Sequence, residues 1–249
     1  MNIAVILAGG VGSRLGADRP KQFIEVLGKP VLAYTIEAFQ NHPGIDAIEV
    51  VCHAGWKDYL DGMIKEYGLT KVKWIADGGD TFQASVINGV FYLEGKIDPE
   101  DIILIHFGAS PFVTEDIITD AIRVCGFRNN CISSTDYLLL SAYKKTPASV
   151  TDPDNYAAEY INRDTVACMN SPHAFRHGFI LDMYKEAIST GVINEVEPHT
   201  TTLMHKMGKK IYFSKGSQTN IKITRKEDLD LFEGYVLMRQ RREGKKKEL

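Results

Sequence analysis

Short apolar runs alternate with amphipathic stretches through the first half of the chain. Asn2–Leu7 is almost continuously apolar, the pattern of a strand covered on both faces, and Ile45–Cys52, Val72–Ala76 and Ile102–His106 repeat it. Between these runs lie four predicted helices, Lys29–Phe39, Trp56–Tyr67, Phe82–Tyr92 and Thr114–Val124. Pro30 suits the first turn of the first helix, Asp80 is placed to cap the third, and Thr114 or Glu115 the fourth. The regular alternation predicts a doubly wound, mostly parallel α/β sheet. Ligands of such sheets lie beyond the carboxyl ends of the strands, which directs attention to three loops, Ala8–Lys21, Asp77–Ser85 and His106–Pro111.

After Cys131 the rhythm breaks. Leu138–Lys144 and Tyr160–Met169 read as strands around the polar stretch Thr146–Asn155, so an extended β-arm is expected at about residues 136–170. From Pro172 the pattern predicts helices over Phe175–Ser189 and Thr201–Met207, a strand over Lys210–Lys215 and a last helix from Glu227. The tail Arg239–Leu249, six of whose eleven residues are basic, reads as a frayed, solvated helix end.

With 249 residues, 44% of them hydrophobic and 24% charged, the chain suffices for one α/β domain, residues 1–249, and is short for two. A formal charge of −3 exerts no general pull on nucleic acid. The start MNIAVILAGG lacks a basic leader and runs straight into glycines, and no stretch is long and apolar enough for a membrane span, so a cytoplasmic protein is expected. Cys52, Cys125, Cys131 and Cys168 form no CxxC pair and no zinc-like cluster, and are expected as buried, reduced thiols.

The first strand opens into Ala8-Gly9-Gly10-Val11-Gly12-Ser13-Arg14-Leu15-Gly16, followed by Arg19-Pro20-Lys21-Gln22. Glycines let a backbone approach a polyphosphate closely, and successive N–H groups then form an anion nest. Arg14 adds a bidentate phosphate donor and Lys21 a mobile point charge. The string is neither a P-loop nor GxGxxG, yet glycines with Arg and Lys at this spacing point to a nucleoside triphosphate.

LAGGVGSRLGADRPKQF followed by LGKPVLAYTIEAF resembles the start of the sugar-alcohol-phosphate cytidylyltransferases, a family that includes methylerythritol-phosphate and ribitol-phosphate cytidylyltransferases. The similarity continues through GGDTFQASVINGV, IHFGASPFV, NSPHAF and GSQTNIKITRKEDL, and so covers nearly the whole chain. The resemblance implies a Rossmann-like nucleotidyltransferase fold and transfer of CMP from CTP, with Mg²⁺, to a small phosphorylated polyol. It implies Arg14, Lys21 and Lys222 as catalytic cations, and Ala8, Gly9, Gly10, Gly12, Ser13, Gly79 and Ser85 as nucleotide-binding positions. Arg163, Ser110 and Thr219 fall at acceptor-side positions, and the β-arm implies a homodimer with a shared site.

Four departures cluster in that implied site. Phe107 stands where the family has its magnesium-binding aspartate, Ser110 and Phe82 replace arginines, and Pro198-His199-Thr200 replaces an acidic Thr-Asp-Asp/Glu segment. Phe offers no oxygen to a hard cation, so the metal ligands are left unassigned. Three readings follow: an active cytidylyltransferase with a remodelled acceptor pocket, a nucleotidyltransferase of altered base or acceptor, and a nucleotide-binding homologue without catalysis. Among lesser candidates, His106 reads as structural, His173 as a possible acceptor contact, and His199 with His205 as a metal pair lacking a third partner. Lys144 and Lys145 read as solvated arm residues, with replacement of the missing cations as the alternative.

Overall fold

Alternate residues of the first strand, β1 (Asn2–Ala8), feed two separate cores. Ala4, Ile6 and Ala8 pack on one face of the sheet, Ile3 and Val5 on the other, and all five are buried. The computed structural model describes residues 1–10, 19–135, 142–145, 153 and 156–247. Within them β1 pairs in parallel with β4 (Ala47–Cys52) and β6 (Ile102–Phe107), and β4 pairs in parallel with β5 (Val72–Asp77). β7 (Asn130–Thr135), β10 (Cys168–Arg176) and β11 (Phe213–Lys215) complete a seven-stranded sheet of order β11-β7-β10-β6-β1-β4-β5. Only β10 runs against the rest, so the mostly parallel, doubly wound architecture holds.

Helices cover both faces. α1 (Val31–Gln40), α2 (Lys57–Glu66) and α4 (Glu115–Arg128) bury their apolar sides in the first core. α3 (Phe82–Tyr92), α5 (His177–Thr190) and α6 (Thr200–Lys206) do so in the second. A third, smaller cluster joins Val26, Val31, Ala109, Phe112 and Ile223 to Phe232 and Val236 of α7 (Lys226–Lys247). α7 runs to Lys247, with its described side chains from Arg239 onward exposed, as a solvated helix end requires. No helix among the described residues is long and apolar enough to cross a membrane.

The larger corrections fall in the second half. Lys29–Pro30 (β3) pairs with Glu25–Val26 (β2), so the first helix starts at Val31. The stretch read as one strand over Tyr160–Met169 is broken by a 3₁₀ turn at Arg163–Thr165, and Cys168–Arg176, read partly as helix, is a strand inside the sheet. Pro172 suggests a helix start, yet it sits where the register against β7 shifts between Met169 and His173, a place that needs no ladder N–H. The arm itself is a separate two-stranded ribbon of β8 (Ala142–Lys145) and β9 (Ala157–Ile161). Lys144 lies exposed on it, 2.7 Å from Glu159 across the ribbon. Thr81, not Asp80, caps α3, its Oγ1 accepting the Ala84 N–H at 3.0 Å. Thr114 precedes α4, but its hydroxyl makes no capping bond.

Cys52, Cys125 and Cys131 are buried and unbridged, with burial pushing their thiols up to about 11, 12 and 11, while Cys168 is half-buried. Glu49 on β4 is fully buried beneath α3, neither carboxylate oxygen meets a hydrogen-bond partner among the described residues, and burial raises its pKa to about 9 against a small opposing pull from Lys96. The unfolded chain ionises this carboxyl near about 4.3, so the fold loses stability as pH rises between the two values, by up to about 1.4 kcal/mol per pH unit. Glu49→Met is therefore expected to stabilise the protein more at about pH 8 than at about pH 5 in urea denaturation. An equal gain at both pH values would contradict a protonated Glu49.

Candidate active site

The strand order places β1 between β4 and β6, and a cleft of about 500 Å³ opens at the carboxyl ends of these strands, where such sheets hold ligands. It is lined from three directions. Leu7, Gly9 and Gly10 come from the end of β1, Gly79 to Phe82 and Ser85 from the β5–α3 junction, and Phe107 and Ala109 from the end of β6. Lys21, Gln22, His53, Lys222 and Thr224 close the walls.

Glycines allow the first two loops to touch. A Cβ on Gly78 would lie 2.8 Å from the Gly9 Cα, and one on Gly9 would lie 3.0 Å from the Gly78 Cα. At Gly79 a Cβ would meet the Ala84 Cβ at 2.5 Å. This close approach lets the Gly79 N–H reach the Ser85 Oγ at 3.0 Å, and Ser85 Oγ lies 3.3 Å from the Gly79 carbonyl in return. The β1 turn is held by Gln22, whose buried Nε2 donates to the carbonyls of Ala8 and Gly10, both at 2.8 Å. Gln22 stands beside Lys21 in the sequence, but nothing in its residue type announces that role.

Two lysines separated by two hundred positions share one wall. Lys21, at the start of a 3₁₀ turn, donates its Nζ to the Ile223 carbonyl at 2.5 Å. Ile223 is fully buried in the third cluster, and its N–H donates to the Ala109 carbonyl at 2.8 Å, which fixes the backbone carrying Lys222. The Lys222 Nζ lies 3.6 Å from the Phe107 ring centroid and 5.9 Å from that of Phe82.

Gly12, Ser13 and Arg14 lie outside the described residues. Of the other sequence candidates, Gly9, Gly10, Lys21, Gly79, Ser85 and Lys222 line the cleft, with Ala8 buried just beneath it. The structure does not bring Ser110, Thr219 or Arg163 to that lining. Ser110 is fully buried, its carbonyl taking the His106 Nε2 at 2.9 Å. Thr219 is exposed in a turn closed on Ser217, and Arg163 is exposed beyond β9. His106 is fully buried and burial lowers it to about 4, so it is a neutral residue bracing the β6 turn. His53, missed in the sequence, lines the cleft while its Nδ1 accepts the Gly55 N–H at 3.1 Å.

The metal half differs from the nucleotide half. Phe107 presents a hydrocarbon ring to the cleft, Asp77 pairs with Lys57 at 2.7 Å, and Asp80 is the one carboxylate in the described lining. Among the described residues no three His, Cys, Asp or Glu side chains gather as a metal site, and His199 with His205 therefore gain no third ligand. These residues do not fit a divalent ion held by the protein itself.

The chain is similar to known proteins over nearly its whole length. The family described as IspD, 2-C-methyl-D-erythritol 4-phosphate cytidylyltransferase, matches residues 2–238. A ribitol-5-phosphate cytidylyltransferase of Lacticaseibacillus paracasei is 39% identical over 236 residues, spanning 95% of this chain and 98% of that protein. A 2-C-methyl-D-erythritol 4-phosphate cytidylyltransferase of Clostridium tetani is 34% identical, spanning 94% of this chain and 90% of its own. The crystal structure of 4-diphosphocytidyl-2C-methyl-D-erythritol synthase from Anaerococcus prevotii superposes with a TM-score of 0.75 at 24% identity, covering 95% of this chain and 96% of that one, a likeness of fold.

Proposed function

The chain belongs to the 2-C-methyl-D-erythritol 4-phosphate cytidylyltransferase family, and from that membership we propose how its cleft divides the work and which polyol it takes. As a member it is a nucleotidyltransferase that moves CMP from CTP onto a phosphorylated polyol. A phosphate oxygen of the acceptor attacks the α-phosphorus, the bond from that phosphorus to the bridging oxygen breaks, and pyrophosphate leaves. The attacking oxygen is already anionic, so the step needs no general base. It needs two anions held close together and the growing charge at phosphorus compensated.

The observation that carries the assignment is the meeting of Lys21 and Lys222 on one wall, joined through the Ile223 carbonyl. Lys21 and Lys222 compensate the reacting phosphates, with Arg14 as a third cation of the same loop. The backbone of Gly9, Gly10, Gly12 and Ser13 cradles the triphosphate, and Gly79 with Ser85 reads the cytosine. Magnesium belongs here as the counter-ion of the triphosphate rather than as a resident of the protein. Arg163 and Thr219, both exposed, belong to the acceptor side, whereas Ser110 is fully buried and out of an acceptor's reach. Arg163 and Tyr160 are exposed at the ribbon in the single chain, which supports a homodimer formed through the arm, working in the cytoplasm as one domain.

The acceptor is ribitol 5-phosphate, a reading supported by ribitol-5-phosphate relatives at 39% and 33% identity. Pyrophosphate release from CTP is expected with ribitol 5-phosphate and much more slowly with 2-C-methyl-D-erythritol 4-phosphate. Faster release with the latter would overturn the acceptor assignment. No release with any acceptor, despite nucleotide-dependent thermal stabilisation, would favour a binding protein that has lost catalysis.

A further inference from the structure

We propose that Phe107 is a positioning residue, its ring face holding the Lys222 ammonium in an aromatic clamp whose second ring, Phe82, packs beside Phe107. The ammonium sits 3.6 Å from the Phe107 centroid and 5.9 Å from that of Phe82, and the two rings are 5.3 Å apart, inclined by 43°. Each ring is itself braced. Phe107 ends β6 in register with Leu7 of β1 and lies 6.3 Å from the His173 ring. Phe82 opens α3 and lies 5.2 Å from the His199 ring. At its other end Lys222 is anchored by the buried Ile223 next to it. The cation is thus fixed at both backbone and tip.

A ring face attracts a cation through its quadrupole yet carries no net charge and takes no proton. The ring contact itself neutralises none of the ammonium's charge. A carboxylate at position 107 would draw Lys222 into an ion pair and divide that charge. His173, which burial above all and then His106 hold down to about 4, is neutral at ordinary pH and sets no second positive charge against Lys222. The clamp therefore directs a lysine of fixed position at the reacting phosphates. The inference rests on the assignment of Lys222 to those phosphates.

Stepwise fluorination of the Phe107 ring tests it, because fluorine withdraws the ring's negative face while leaving its shape almost unchanged. The expected result is a graded fall in kcat/KM through mono-, di- and trifluoro-phenylalanine, reaching roughly five- to thirty-fold, with no change in unfolding midpoint. A purely structural Phe107 would give a flat series. The second readout needs no turnover: in protein carrying ε-¹³C-lysine, the Lys222 ε-methylene is expected upfield from ring shielding and returns to the ordinary lysine position in Phe107→Leu. A flat fluorine series in a protein that still turns over removes the clamp and leaves the phosphate assignment standing. An unshifted Lys222 signal overturns the clamp whether or not the protein is active. A shifted signal in a protein that turns over no substrate keeps the contact but refutes its catalytic purpose together with the reading beneath it.

Discussion

Lys21→Ala is expected to lower kcat/KM for CTP by about 10²–10³-fold, the range for removing one charged donor from a site of developing charge. Most of the loss belongs in kcat, since a group placed for the transition state contributes little to ground-state binding. Lys222→Ala is expected to behave alike. The geometry explains why the two are not independent. The Lys21 ammonium rests on the carbonyl of the residue next to Lys222, so removing it also loosens the segment carrying its partner. The double variant should consequently lose less than the product of the single losses. Turnover of Lys21→Ala within about threefold of the unaltered protein, with the same unfolding midpoint, would refute the role assigned to it. The unfolding midpoint is informative here because it separates a lost charge from a lost support for Ile223. A large drop in stability would instead assign Lys21 to holding Ile223 in place.

Much of this was legible beforehand, and the boundary of legibility has a physical cause. The runs NIAVIL, IDAIEVVC and DIILIH announce themselves because strands buried on both faces are apolar without interruption. β7 hides because its buried positions mix Asn130 and Ser133 with Cys131 and Ile132, leaving too short an apolar run to read as a strand. Ser133 is fully buried, and its hydroxyl donates to the Lys215 carbonyl at 3.0 Å, a partner 82 residues away that no local pattern can show. β10 hides behind Pro172, whose meaning depends on the register of the neighbouring strand. In the cleft, glycines are legible as such, because close backbone approach permits little else. Gln22 and Ala109 are not, because each works through backbone bonds that exist only once the chain has closed. Phe107 and Phe82 were visible as departures from the family pattern. That the rings face Lys222 follows only from bringing the ends of β6 and α3 together with the segment before α7.

Gly79→Ala is expected to raise KM for CTP by about 10²-fold, the cost of misplacing a positioning group by about 1 Å. The new methyl would lie 2.5 Å from the Ala84 Cβ, 2.8 Å from the Ala84 carbonyl carbon and 3.0 Å from the Ser85 nitrogen. These atoms belong to the first turn of α3, whose helix packs against the sheet and is not free to yield. The loop must therefore move instead, and its movement breaks the paired contacts between Gly79 and Ser85 at 3.0 and 3.3 Å. Because Gly78 touches the Gly9 backbone, the same displacement reaches the glycine loop assigned to the triphosphate. The loss should fall on KM, since the loop is assigned to ordering the nucleotide. Gly62→Ala is the control: it lies on α2 with open space around its Cβ position, and is expected to leave KM unchanged. If Gly79→Ala binds CTP as well as the unaltered protein, the β5–α3 loop does not read the base, and cytosine must be recognised elsewhere in the cleft.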